Sequence, residues 1–307
     1  MNPTPEISRS STPLGHKRSA SYPQIPKIAV LDALISMALT SIAPYTYEQR
    51  LAACQCIQAF IHSNPEGKEG LLQRIIQTYT EAAEPPKPSN LLHYILNLTD
   101  STRKDPYRIW FACVILLHLL NSSRRCKDLM QEIVIGDTSS GEESVSALQQ
   151  INANLSSTLI NSYDPRISVG YLMLLSMWLY EDPSSVSNFL EETAGVQTLI
   201  GAVAQAREGI FVTGLGAVVL GICVEFNTVT SPLPPVRLQK LITSGVGGKD
   251  QFVFRITQLR ESREFRDFRE QVRFSSHAND ELPDLWFDLG FVEFLKDNYS
   301  MFIFLHY

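Results

Sequence analysis

The chain has 307 residues, 44% of them hydrophobic and 19% charged, which is ordinary globular material and enough for a large core or an extended stack of helices. The formal net charge is −6. The first 27 residues carry Arg9, Lys17, Arg18 and Lys27 against Glu6 alone, so the acidity lies in the body and argues against nucleic acid as its partner. The longest apolar stretch, Trp110 to Leu120, is too short to span a bilayer, and the polar, proline-bearing start offers no signal-peptide core.

Residues 1–26 are rich in Ser and Pro and poor in large apolar side chains, so they read as a disordered tail. Within it, Lys17-Arg18-Ser19-Ala20-Ser21 has the form of a basophilic kinase site, making Ser19 and Ser21 candidate phosphorylation positions. From Lys27 the periodicity predicts helix after helix: 28–43, 47–62, 68–82, 89–98, 106–121, 125–135, 145–161, 164–180, 184–192, 195–206, 210–225, 234–243, 249–258, 261–273 and 286–297. No strand is predicted. Asp105-Pro106 and Asp164-Pro165 read as N-cap plus first-turn pairs.

An internal repeat organises these helices. The string beginning Arg50-Leu-Ala-Ala-Cys returns from Arg108 and again from Arg166 at an offset of 58, and Leu71, Ile75 and Ile76 return as Leu129, Ile133 and Val134. A third helix precedes each repeated one, carried by Leu31-Leu34-Ile35, Leu91-Leu92-Ile95 and Leu148-Ile151-Leu155. Three helices per unit, stacked by repetition, define an all-α, armadillo-like α-solenoid. The polar connectors after Glu84 and Gly136 lengthen the unit and act as spacers or as adjustable contact loops.

Chemistry-bearing patterns are sparse. The six histidines are scattered without a ligand spacing, and the five cysteines form no Cys-x-x-Cys pair. Cys54 and Cys56 project about 200° apart on a helix, so a shared metal does not fit, and both are expected in the core. Gly245-Val-Gly-Gly-Lys249-Asp250 lacks the first glycine and the Ser/Thr of a phosphate loop and reads as a helix joint. No activated nucleophile is apparent, so neither a cofactor nor catalysis is expected. Arg260 to Arg273 alternates in sign with Arg260–Glu264, Arg263–Asp267 and Arg266–Glu270 at i, i+4. It reads as a solvated helix leaning on the stack through Phe265, Phe268 and Val272, or as a docking surface formed by Arg260, Arg263, Phe265, Arg266, Phe268 and Arg269.

Arg166-Ile-Ser-Val-Gly-Tyr-Leu-Met-Leu-Leu-Ser-Met-Trp-Leu, Pro183-Ser-Ser-Val-Ser-Asn-Phe-Leu and, most specifically, Gly214-Leu-Gly-Ala-Val-Val-Leu-Gly-Ile-Cys-Val-Glu-Phe-Asn resemble the head region of the general vesicular transport factor family. The resemblance covers residues 27–298. It implies a non-enzymatic tether of the ER-to-Golgi and intra-Golgi pathways, cytoplasmic and peripheral on Golgi and vesicle membranes. Rab GTPases, golgins, SNARE proteins and the conserved oligomeric Golgi complex are its implied partners. The family's further armadillo repeats and its dimerising coiled coil would lie outside the matched residues, and the apolar ending 299–307 is unlike a heptad entry, as in a truncated gene model or fragment. The alternative is an armadillo or HEAT-type scaffold subunit of another cytosolic complex. A basic-peptide adaptor is disfavoured, because Trp110 and Trp178 are followed four residues later by Val114 and Asp182 rather than by Asn.

Overall fold

The computed structural model describes residues 27–41, 45–81, 87–99, 104–136, 144–268 and 282–303. Within them lie α1 (Lys27–Leu39), α2 (Tyr47–Ile61), α3 (Pro65–Thr80), α4 (Leu91–Leu96), α5 (Pro106–Leu120), α6 (Arg124–Gln131), α7 (Ala147–Ile160), α8 (Pro165–Leu179), α9 (Pro183–Glu191), α10 (Thr193–Ala204), α11 (Gly209–Glu225), α12 (Pro235–Val246), α13 (Lys249–Glu261), α14 (Arg263–Arg266) and α15 (Leu289–Ile303). Helices α2, α5, α8 and α11 pack side by side as a spine, flanked by α1, α4, α7 and α10 and by α3, α6, α9 and α12. This is the expected stack of three-helix units. Two strands of two residues, β1 (Val134–Ile135) and β2 (Val145–Ser146), pair antiparallel where a helix was expected to run to residue 135. Val134 is accordingly exposed rather than part of a buried helical stripe.

The register of the repeat is 59 residues, not 58. The N-cap positions Thr46, Asp105 and Asp164 are each 59 apart, and so are the last spine residues Ile61, Leu120 and Leu179. After each spine helix the same corner recurs. An extended C-cap (His62, Asn121, Tyr180) is followed by a left-handed residue (Ser63, Ser122 and Glu181, with φ of 51°, 54° and 53°) and then by the N-cap of the next helix (Asn64, Ser123, Asp182). Three non-glycine residues in that region of φ show that the corner is imposed by packing on both sides. Cys54 and Cys113 thus occupy equivalent, fully buried positions, while Arg50, Arg108 and Arg166 slide from the fourth to the third to the second residue of their helices. Helices α5 and α8 are buried nearly all round, so a one-residue slip costs the sequence match little there; caps and corners carry the register.

The spine is the core. Every residue of α5 except Arg108 and His118 is buried, and so is every residue of α8 after Arg166. Gly214 and Gly221, two turns apart on α11, admit α13 and α15: a Cβ on Gly214 would lie 2.5 Å from Leu259 Cβ, and one on Gly221 would lie 3.2 Å from the Phe302 carbonyl. Asp164 caps α8 through the Arg166 amide as expected, whereas Asp105 makes no side-chain cap bond because its carboxylate goes to Arg50. Cys54 is buried but Cys56 is exposed, which corrects the expectation that both serve the core. The joint at Gly247 and Gly248, with φ of 90° and 110°, ends α12 and starts α13.

Candidate partner-binding site

Two arrangements stand out: one was anticipated along the chain, the other arises only from folding. The anticipated one is the arginine-rich stretch, and its helix breaks. Ser262, with ψ of 145°, ends α13 and caps α14 by accepting the Phe265 amide, and α14 ends within one turn. Arg260 and Arg266 pair with their neighbours Glu261 and Asp267, in place of the expected Arg260–Glu264 pairing and of a helix continuing through 261–273. Arg260 also lies over the Tyr299 ring at 4.3 Å. Arg260, Arg263 and Arg266 are exposed, Phe268 is half-buried, and Phe265 is 1% exposed with its ring edge-on to Phe287. Phe265 therefore belongs to the core, and the accessible part of the candidate surface is the three arginines with Phe268. Arg269, Ser19, Ser21 and the whole of 1–26 lie outside the described residues.

The unanticipated arrangement is the return of the chain. Residues 282–288 run extended across the spine, and α15 then packs on α11. The return is fixed by side chains from helices that precede it by well over a hundred residues. Tyr107 Oη lies 2.5 Å from the Pro283 carbonyl and 3.0 Å from that of Leu285, and it accepts from the Arg166 Nε. Trp110 donates its indole N–H to the Trp286 carbonyl at 3.0 Å, and Arg166 lies 4.5 Å over the Trp286 ring. Burial pushes the Tyr107 phenol up to about 12, against the opposing pull of Arg166, so the hydroxyl keeps its proton and can donate.

Asp288 closes the return. Its carboxylate is 2.8 Å from His118 Nε2 and accepts from Gln58 Nε2 at 3.0 Å and from the Phe291 amide. Burial alone would raise its pKa, but the His118 partner and these hydrogen bonds hold it below the usual carboxylate value. Beside this knot lies an open cavity of about 370 Å³, with Gln55, Lys68, Phe268, Phe287 and Glu293 in its wall. Phe268 thus joins the two arrangements.

A third feature ties unit to unit. Lys68 and Lys127, themselves 59 residues apart, donate to the carbonyls of Asn121 (2.8 Å) and Tyr180 (2.6 Å), the C-caps of the next unit's spine helix. An ammonium at a helix C-terminus satisfies an orphan carbonyl and opposes the negative end of the dipole. Burial lowers both lysines, Lys127 to about 8 despite Asp182 nearby. Equivalent lysines in equivalent corners are visible in the sequence once the register is 59.

Little here is reactive. Burial raises the Cys54, Cys113 and Cys223 thiols, and among the described residues no group of three His, Cys, Asp or Glu side chains is placed to hold a metal. Also among the described residues, no helix is long and apolar enough to cross a membrane. Stacked three-helix units that present a long surface over a sealed spine define an α-solenoid interaction module.

The Uso1 / p115-like vesicle tethering protein head-region model matches residues 5–303, and the chain belongs to that family. The general vesicular transport factor p115 of Homo sapiens is 31% identical over 234 residues, which cover 74% of this chain and 23% of that protein. The intracellular protein transport protein uso1 of Schizosaccharomyces pombe is 27% identical across 80% of this chain and 23% of its own length. USO1 of Saccharomyces cerevisiae is 22% identical across 88% and 17%. The chain therefore spans about a fifth of the length of these relatives. The crystal structure of Uso1-2 shares the fold with a TM-score of 0.77 at 20% identity, over 90% of this chain and 42% of that one.

Proposed function

We propose that this chain is the non-enzymatic head of a vesicle tether in ER-to-Golgi and intra-Golgi transport, peripheral on Golgi and vesicle membranes, which docks trafficking proteins on its helical surface. The observation that carries the reading is the family match across 5–303, joined to a spine whose helices α5 and α8 are buried almost throughout. The docking surface is Arg260, Arg263, Arg266 and Phe268, continued by Arg269. Arg263 and Arg266 project from the short helix α14, whose one buried anchor is Phe265, and Arg260 stands in the last turn of α13 beside it. The partners are Rab GTPases, golgins, SNARE bundles and the conserved oligomeric Golgi complex, and the cytoplasmic face of these membranes is the site of action.

The test is binding of the full 307-residue chain to a GTP-loaded early-secretory Rab, to golgin peptides, to assembled SNARE bundles and to the oligomeric Golgi complex. The reading expects at least one to bind, and Arg260→Glu/Arg263→Glu/Arg266→Glu to weaken that binding about tenfold or more, as for charged rim and hot-spot residues. Failure with all four removes the tethering reading. Undiminished binding by the triple variant moves the docking surface elsewhere.

A further inference from the structure

The seam between the first two units contains three buried polar atoms that have no hydrogen-bond partner among the described residues: Tyr47 Oη, Arg50 Nη2 and Asp105 Oδ2. Their side chains adjoin one another. Arg50 is 0% exposed and spends its other donors inside the seam, Nε on the Ala38 carbonyl at 2.9 Å and Nη1 on Asp105 Oδ1 at 3.1 Å. The guanidinium lies 5.6 Å from the centre of the Tyr47 ring and 5.1 Å from that of Phe111. Asp105 Oδ2 is left with Arg108 Nε at 4.0 Å, beyond hydrogen-bond reach.

The fork is used singly because of where Arg50 sits. As the fourth residue of its helix it is set deeper than its counterparts. Arg108, on the third residue, bonds the Leu39 carbonyl and Ser41, and Arg166, on the second, finds Asp164, Tyr107 and the Pro283 carbonyl at the edge. Only Arg50 is enclosed on all sides, so its second nitrogen and the second oxygen of Asp105 are turned inward together with the Tyr47 hydroxyl.

These valences are complementary: one obligate donor, one obligate acceptor and one hydroxyl that can serve as either. We infer that this cluster is a binding site for one ordered water molecule, which accepts from Arg50 Nη2, donates to Asp105 Oδ2 and exchanges its remaining hydrogen bond with Tyr47 Oη. Three partners is the usual coordination of a buried protein water. The water links α2 to α5 at the level of their first turns and completes an ion pair that would otherwise carry two unsatisfied charged atoms. Asp105 is thereby accounted for: it forgoes the cap of its own helix and serves the seam.

Two measurements on the full-length protein test this. A crystal structure at about 2 Å or better should show an isolated density peak within hydrogen-bond distance of all three atoms. A bidentate Arg50–Asp105 fork, or a protein partner on the Tyr47 hydroxyl with no such peak, overturns the inference. Independently, Tyr47→Phe reads the sign of the effect. If the hydroxyl holds a water, its loss raises the unfolded-to-folded ratio about fivefold, the worth of one hydrogen bond. If the hydroxyl is bare, the variant leaves the ratio unchanged or lowers it, because a desolvated group with no partner has been removed, and the inference falls.

Discussion

The spine helices α5 and α8 and the return segment 282–303 both supply core residues, yet they are held by different means. The spine is held by chemistry that repeats along the chain: caps, left-handed corners and lysine clamps at a 59-residue interval. The return is held by single, unrepeated contacts to residues 118 to 230 positions away in sequence, through Tyr107, Trp110, His118, Gln58 and Tyr180. Repetition makes a unit tolerant, since each neighbour supplies a similar surface. A unique contact has no understudy.

If that contrast is right, the largest loss should follow truncation in the return. Phe287→Ala removes a fully buried ring that packs on Phe211 and Phe265, and equilibrium denaturation should show a loss of about 3–5 kcal/mol. Gly214→Ala tests the glycine-cleared face of α11, where the new Cβ meets Leu259 Cβ at 2.5 Å; overpacking of this kind costs about 1–3 kcal/mol by the same measurement. Asp288→Asn should lower stability near neutral pH by about 1–3 kcal/mol, the range for a buried, hydrogen-bonded charge deprived of its role. It should also flatten the acid limb. Because the folded-state pKa of Asp288 is lowered, its contribution is present above the ordinary carboxylate value and is lost as pH falls through the folded value.

The smallest effect near neutral pH is expected at a repeated contact, and it grows as pH rises. Lys127→Met removes one of two equivalent clamps, at a cost of about 1 kcal/mol near neutrality. In the fold Lys127 releases its proton near 8, whereas the unfolded chain retains it to about 10.5. Between those values the unfolded state binds the extra proton, so this group adds stability as pH rises through the window. The variant should lack that rise. A denaturation series from pH 7 to 10.5 would show the two proteins converging or diverging, and divergence, with the native chain gaining, is the expected outcome.

The same contrast explains what could be read from the residues alone. The α-solenoid, its helix order and the three-helix unit followed from apolar periodicity and from the returning strings, because those signals are local and occur more than once. The register came out one residue short because Arg50, Arg108 and Arg166 look like fixed markers, while the true markers, Ser63, Ser122 and Glu181, are tied by a shared backbone angle that the sequence does not display. The helix expected over 261–273 starts only after the Ser262 cap and stops at Arg266; Ser262, a residue suited to capping, separates Arg260 from Glu264 and outweighs that i, i+4 pairing. Phe265 looked like part of a narrow surface stripe, and nothing nearby in sequence announces Phe287 as its partner. The knot of Gln58, His118 and Asp288 joins three distant segments of ordinary composition, and no single-sequence signal marks it.

Native-state hydrogen exchange at the amides of Phe291, Val292 and Leu295 in the return, beside those of Ile115 and Leu174 in the spine, tests most directly whether the return is part of one solenoid core. The structure predicts that both sets open only with global unfolding, at the same free energy and with the same denaturant dependence. Exchange of the α15 amides through a smaller opening, several kcal/mol below that of the spine, would contradict it.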